Sequence, residues 1–339
     1  MQTRWNHFAS GWVLNLLAWV GFSTGSIAIE AAELRVGLIG LDTSHVTAFT
    51  KLLNDPADKK HIPGARVVGA FKGGSPDIES SASRVDGYTQ QLQKDFGVKI
   101  YPTIELLCAD VDAVLLTSVD GRPHLEQARP VLKAHKRMFI DKPVAGSLRD
   151  AIAIYRLAQQ EGVPIFSSSS YRFYESLVEL KKADVGELRG VTSYGPAPTE
   201  PHHPDLFWYG VHPTEALFTI LGPGCTQVSR MTTESMDVVT GTWTDGRMGV
   251  LIGLRTGHTP HKVTLFGTKG IAEQKGSGDY APMLREIVQF FETGKPPVSP
   301  EETLGMFAFM EAADESKRLN GAPVSIKQIL EKNDPGPVR

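Results

Sequence analysis

The stretch Leu34-Arg35-Val36-Gly37-Leu38-Ile39-Gly40-Leu41-Asp42-Thr43-Ser44-His45 decides how the chain is read. A short branched apolar run ends in glycine, and apolar residues then recur at Val46, Phe49, Leu52 and Leu53. Strand spacing followed by helix spacing opens a strand–turn–helix unit. The alternation continues downstream. Strand-like runs at 65–71, 113–116, 138–140 and 164–166 are separated by helical patterns at 79–96, 103–109, 123–135 and 147–161. Thr103 and Ser147 read as helix starts, because a hydroxyl satisfies orphan N–H groups in the first turn. Pro130 predicts a kink or a late start in its segment, since proline removes an intrahelical bond. Such alternation predicts an α/β fold with a doubly wound parallel sheet, whose ligands bind beyond the carboxyl ends of the strands.

Polar residues gather at those ends. After the first strand, Gly40, Leu41, Asp42, Thr43 and Ser44 lead into a helix whose free N–H groups suit a phosphate. The dinucleotide fingerprint G-x-G-x-x-G needs glycines at 40, 42 and 45, but Asp42 and His45 hold two of those places. A plain strand-to-helix turn capped by Thr43 or Ser44 is the alternative. Lys72 follows the second strand, where an NAD enzyme usually carries an acid for the ribose hydroxyls. A cation there suits the extra phosphate of NADP, or is a solvated loop residue, so the expected cofactor is NAD or NADP. Thr117, Ser118 and His124 follow the third strand, and Asp141-Lys142-Pro143 follows the run 138–140. A lysine fixed beside the cofactor would polarise a hydroxyl or ketone. A surface lysine paired with Asp141 is the competing reading.

In the second half, runs at 188–195, 224–233, 237–243, 247–255 and 262–267 read as strands of a large, mainly antiparallel sheet. Asp245-Gly246 predicts a two-residue hairpin turn with positive φ. The most polar stretch is His202-His203-Pro204-Asp205-Leu206-Phe207-Trp208-Tyr209-Gly210-Val211-His212-Pro213-Thr214-Glu215. His212 and Glu215 share a face if a helix begins near Pro213. A neutral histidine there would take or return a hydroxyl proton, the alternative being a helix-start histidine bonded to backbone. Trp208 and Tyr209 either stack on a sugar ring or pack in the core. The cluster of histidines and acids could also gather zinc, but its spacing fits no zinc signature, and no metal is expected. His258 and His261 read as a loop between strands and receive no role.

The 339 residues suggest about two domains. A net charge of −3 without a basic block argues against a nucleic-acid partner. Two cysteines, Cys108 and Cys225, exclude a disulfide-stapled scaffold, although a bridge between them stays open. Arg4, the apolar run from Gly11 to Phe22 and the small residues Ser26-Ile27-Ala28 read as a secretory signal peptide over 1–32, too short for a stable membrane anchor. Export to the periplasm or outside is therefore expected, or a cytoplasmic location if 1–32 is not a leader. The predicted boundaries are 33–165 for the dinucleotide domain, 166–330 for the substrate and oligomerisation domain, and 331–339 for a tail.

Several stretches together carry a resemblance. They are Tyr101-Pro102-Thr103-Ile104-Glu105-Leu106-Leu107, Val111-Asp112-Ala113-Val114, His124 ahead of a helix, and Phe139-Ile140-Asp141-Lys142-Pro143-Val144-Ala145. In the tail they are Ile287-Val288-Gln289-Phe290-Phe291, Gly294-Lys295-Pro296-Pro297-Val298, and Glu311-Ala312-Ala313 before Ser316. From 34 to 330 the chain resembles the Gfo/Idh/MocA family of glucose–fructose oxidoreductase and inositol dehydrogenase. The resemblance implies a Rossmann domain, a C-terminal α/β domain with a large open sheet, a nicotinamide cofactor and a sugar or polyol substrate. Asp141-Lys142-Pro143 matches the family's E-K-P motif and makes Lys142 catalytic. His212 matches its catalytic-region histidine, while Trp208 stands where an acid usually precedes it and Glu215 supplies an acid after it. Arg172 matches a substrate- or cofactor-facing basic position, with a salt bridge as the alternative. A homo-oligomer is expected. An NAD(P)-dependent oxidoreductase leads. A lyase or glycosidase retaining NAD without net redox, and a non-catalytic sugar- or nucleotide-binding protein, compete with it.

Overall fold

The computed structural model describes residues 33–257 and 259–337, so the leader-like residues 1–32 and His258 lie outside the described residues. The first half runs β1 (Leu34–Ile39), α1 (His45–Asn54), β2 (Ala65–Phe71), α2 (Glu79–Ala82), α3 (Val85–Phe96), β3 (Lys99–Tyr101), α4 (Ile104–Asp110), β4 (Ala113–Leu116), α5 (His124–Lys133), β5 (Arg137–Asp141), α6 (Leu148–Gln160) and β6 (Ile165–Ser168). Its six strands pair in parallel in the order β3-β2-β1-β4-β5-β6. The order reverses beside β1, which opens a crevice at the carboxyl ends of β1 and β4. Thr103 and Ser147 cap α4 and α6, their hydroxyls accepting from the backbone N–H of Leu106 and Asp150.

A one-turn 3₁₀ helix at Ser170–Phe173 leads into the second half. There follow α7 (Glu175–Lys181), β7 (Leu188–Pro196), α8 (Asp205–Trp208), α9 (Val211–Leu221), β8 (Cys225–Thr232), β9 (Met236–Trp243), β10 (Met248–Leu254), β11 (Lys262–Gly267), β12 (Ile271–Glu273), α10 (Ala281–Thr293), α11 (Pro300–Arg318), β13 (Val324–Ser325) and α12 (Ile326–Lys332). The seven strands follow the order β12-β11-β7-β10-β9-β8-β13, antiparallel except for the β7–β10 pair. Strands β8 and β9 are locked to α8 and α11 by Arg230. It is fully buried and pairs with Asp237, Asp205 and Asp314. Asp205 is also held by Lys317.

Four expectations need correction. The pattern at 79–96 is two helices, broken at Ser83 and Arg84. Helix α5 does not start late: it runs from His124 through Pro130 to Lys133, and the proline costs it a single N–H donor. The hairpin after β9 closes with three residues. Only Gly246 is left-handed, with φ +83°, and its N–H donates to Trp243 C=O. Finally, the dinucleotide domain does not stop at 165. β6 extends its sheet to Ser168, and α10, from the span assigned to the second domain, packs in its core. The apolar stripe Met283, Leu284, Ile287, Phe290 and Phe291 covers the sheet, with Phe290 edge-on to Phe166 at 4.9 Å. Cys108 and Cys225 are both buried and unpaired by any disulfide.

Because Phe290 is buried in the first domain's core, Phe290→Ala should cost about 3–5 kcal/mol in urea unfolding. Met231→Ser, at a position 76% exposed, should change stability by less than about 0.5 kcal/mol. Equal effects of the two would deny α10 its place in that core.

Candidate active site

The β1–α1 turn is set by sterics. Gly40 has φ +85°, and a Cβ there would lie 2.1 Å from Ser118 Oγ, so this glycine is required by the chain itself. Asp42 is fully buried. Its Oδ2 accepts from Ser81 Oγ at 2.6 Å and its Oδ1 from Val119 N–H at 3.0 Å. One carboxylate thus ties β1–α1 to the turn after β4 and to α2. A second tie lies alongside, from Ser75 Oγ to Asp120 Oδ2 at 2.6 Å.

A cavity of about 540 Å³ opens between the two sheets, lined from the first domain by Thr43, Ser44, His45, Arg84, Val119 and Lys142. The second domain contributes Tyr171, Trp208, Tyr209, His212 and His261, and Tyr280 reaches it from the start of α10. Wider clefts elsewhere, against α6 with α12 and against α4 with α5, contain no histidine. Lys142 reaches the cavity from the end of β5, joined to Pro143 by a cis peptide bond. His212 comes from the first turn of α9, with its Nδ1 2.7 Å from Ser169 Oγ. Burial, reinforced by Lys142, His261 and His45, holds His212 well below the ordinary histidine range. His212 is therefore neutral at pH 7, and its ring nitrogen can accept a hydrogen bond.

The expected site residues divide accordingly. Thr43, Ser44, Lys142, Trp208, Tyr209 and His212 meet at the cavity. The others do not line it. Lys72 pairs with Asp86 on α3 at 2.5 Å. Thr117 Oγ1 donates to Gly40 C=O, and Ser118 Oγ to Gln127. His124 lies between the carbonyls of Ser118 and Val144. Arg172 and Glu215 pair with each other at 2.5 Å, and Arg172 also reaches Glu302 at 2.6 Å. This ion triad lies behind the site: Glu215 accepts from Ser168, the neighbour of the serine that holds His212. Asp141 is spent inside the chain, accepting from its neighbour Lys142 N–H at 2.9 Å and lying 2.5 Å from His45 Nδ1.

His261, given no role above, also lines the cavity. Its ring stands 5.6 Å from His212, its Nδ1 is buried without a partner, and burial pushes it down to about 4. Gly195 makes its room, since a Cβ there would meet His261 Nδ1 at 2.2 Å. No sequence pattern links positions 195 and 261; only the register of β7 against β11 does.

The cavity suits the phosphates of a dinucleotide at one end. Thr43 and Ser44 face it, and among the described residues their backbone N–H groups donate to nothing in the chain. Asp42, the feature least compatible with a phosphate, has both oxygens engaged and does not line the cavity.

Residues 34–169 match the model of the Gfo/Idh/MocA oxidoreductase family, described as an NAD-binding Rossmann fold. Among solved structures, a probable dehydrogenase from Thermotoga maritima superposes with a TM-score of 0.72 at 21% identity, over 87% of this chain and 100% of that one. Myo-inositol dehydrogenase from Lactobacillus casei, in complex with NAD(H) and myo-inositol, gives 0.69 at 18%, over 86% and 96%. A putative myo-inositol dehydrogenase from Sinorhizobium meliloti gives 0.71 at 16%, over 86% and 99%. At these identities the likeness is one of fold.

Returning a glycine to the second fingerprint place by Asp42→Gly should lower stability by about 1–3 kcal/mol, because Ser81 Oγ and Val119 N–H lose their acceptor. An unchanged urea midpoint would show the tie to be idle. A pH effect follows from the histidines. Burial holds His124, His203, His212 and His261 below the ordinary range. The unfolded chain takes up these protons near about pH 6.5, whereas the folded chain resists, His261 down to about 4. Below neutrality the unfolded state therefore binds more protons, and stability falls with pH. Asp314, pushed up to about 7, and Glu311, also raised by burial, act in the opposite sense but number two against four. The urea midpoint should drop between pH 7 and pH 5; a rise would contradict this assignment.

Proposed function

We propose, from the match of residues 34–169 to the model of the Gfo/Idh/MocA oxidoreductase family with its NAD-binding Rossmann fold, that the chain is an exported dehydrogenase acting with NAD(H) on a polyol, sugar or sugar derivative. The observation that carries this reading is the convergence of Lys142, just past β5, and His212, in the first turn of α9, on one cavity that the open start of α1 also lines.

The N–H groups of Thr43 and Ser44 would hold the phosphates. When bound, the nicotinamide supplies a hydride acceptor for the substrate carbon. The chain does the rest. Lys142 polarises the reacting oxygen. Neutral His212, steadied at Nδ1 by Ser169, offers its other nitrogen to the hydroxyl hydrogen. Tyr209 is 37% exposed and lies 4.8 Å from the His212 ring, so it can wall a sugar ring beside the reacting hydroxyl. Tyr174 and Tyr280 also line this space, whereas the Tyr171 hydroxyl is spent on Gln274 at 2.6 Å.

The proposal includes export on residues 1–32, so the protein is to be taken from the exported fraction; its absence there would remove that part alone. Denaturing the purified protein should release NAD(H), or NAD should raise its melting temperature. Polyol-dependent NADH formation should fall roughly 10²- to 10⁴-fold in Lys142→Ala, with nucleotide binding largely intact. Neither release nor a thermal shift, or full turnover in the variant, would defeat this reading.

A further inference from the structure

We propose that His45, backed by Asp141, is the base that finally holds the substrate's proton, and that Asp141 is its positioning residue. The proposal rests on the cavity being the oxidoreductase site. His45 stands at the third glycine place of the dinucleotide fingerprint, and Asp141 at the acid of the motif around Lys142. The two departures touch. His45 Nδ1 lies 2.5 Å from Asp141 Oδ2, and the carboxylate's other oxygen accepts from Lys142 N–H. Asp141 is 2% exposed, and burial alone would raise its carboxyl. Its surroundings, His45 first and then Lys142, hold it instead below the ordinary carboxylate range.

A charged carboxylate behind Nδ1 fixes that nitrogen as the donor and leaves Nε2 as the bare, proton-accepting one. His45 is 8% exposed, lines the cavity together with Lys142 and His212, and makes no other side-chain hydrogen bond among the described residues. Tyr280 packs edge-on to its ring at 4.8 Å and fixes the ring plane. His212 is built differently. Its Nδ1 meets a serine hydroxyl, with no carboxylate behind it, while Lys142, His261 and His45 all oppose a positive charge there. His212 therefore serves to orient the hydroxyl, while a proton placed on His45 has a counter-charge at 2.5 Å.

In the oxidation direction, the hydroxyl proton passes to His45 Nε2. With an oxidised nicotinamide bound as the hydride acceptor, the O–H bonding pair would become the second bond of the new carbonyl and the C–H pair would leave as hydride. The imidazolium at 45 is neutralised by Asp141.

The test begins on the full protein without substrate. Nitrogen-15 NMR of labelled histidines should show His45 protonated at Nδ1 and bare at Nε2, and Asp141→Asn should abolish that preference. With NAD and myo-inositol as the probe, His45→Gln should lower kcat roughly 10²- to 10⁴-fold while NAD affinity stays within about twofold, and added imidazole should partly restore His45→Ala. An Nε2-protonated His45 would overturn the proposal, as would parental kcat in His45→Gln or a loss confined to NAD affinity. If the parent itself turns over no myo-inositol, the tautomer in the parent and in Asp141→Asn still decides whether the pair is built as argued, separately from the reading of the cavity.

Discussion

The buried carboxylate of Asp42 is the constraint on which the rest of the site depends. Three loops converge at the carboxyl ends of β1, β2 and β4, and nothing in a parallel sheet obliges them to stay together. Asp42 bonds one from each side, Ser81 Oγ and Val119 N–H, while its own backbone belongs to the turn before α1. An unpaired buried carboxylate would be strongly unfavourable, so the loops must stay in register for the charge to remain solvated by the chain. With the turn so fixed, the start of α1 is aimed into the cavity. Thr43, Ser44 and His45 then present their groups there.

The second domain completes the site through rigidity. His212 is positioned by Ser169, whose neighbour Ser168 is held by Glu215, itself bound to Arg172 and through it to Glu302 on α11. Truncating either end of such a triad would strand a buried charge, a cost of several kcal/mol. The triad is therefore better understood as a support that keeps His212 facing Lys142 than as a substrate contact. His203 adds a direct link between halves, its Nε2 accepting from Gly121 N–H at 3.3 Å.

Much of this was legible in the sequence, and the pattern of success has a physical cause. Period and punctuation are local, so β2, β4 and β11 fall where the apolar runs put them, and the caps of α4 and α6 were visible as Thr103 and Ser147. Lys142 and His212 were found by motif, and both reach the cavity. Pairings between distant positions were not legible. A salt bridge was open for Arg172 in the sequence, but not that its partners are Glu215 at 2.5 Å and Glu302, nor that Lys72 meets Asp86 of α3. The placement of α10 in the first domain's core has the same origin: its stripe is obvious, its partner surface is not.

The lost glycines show why counting a fingerprint misleads. A glycine in that motif gives room for backbone to approach a phosphate or for a helix to pack against a strand. Here each missing glycine is replaced by a side chain with a partner elsewhere: Asp42 with Ser81 and Val119, His45 with Asp141. A decaying nucleotide site would accumulate unpartnered side chains, because drift has no reason to supply the second residue. Partnered replacements at two of three positions instead mark a turn whose geometry is still maintained, with its tight first glycine intact at φ +85°. The altered fingerprint is therefore a turn held by side-chain pairs, where the usual motif relies on bare glycine backbone.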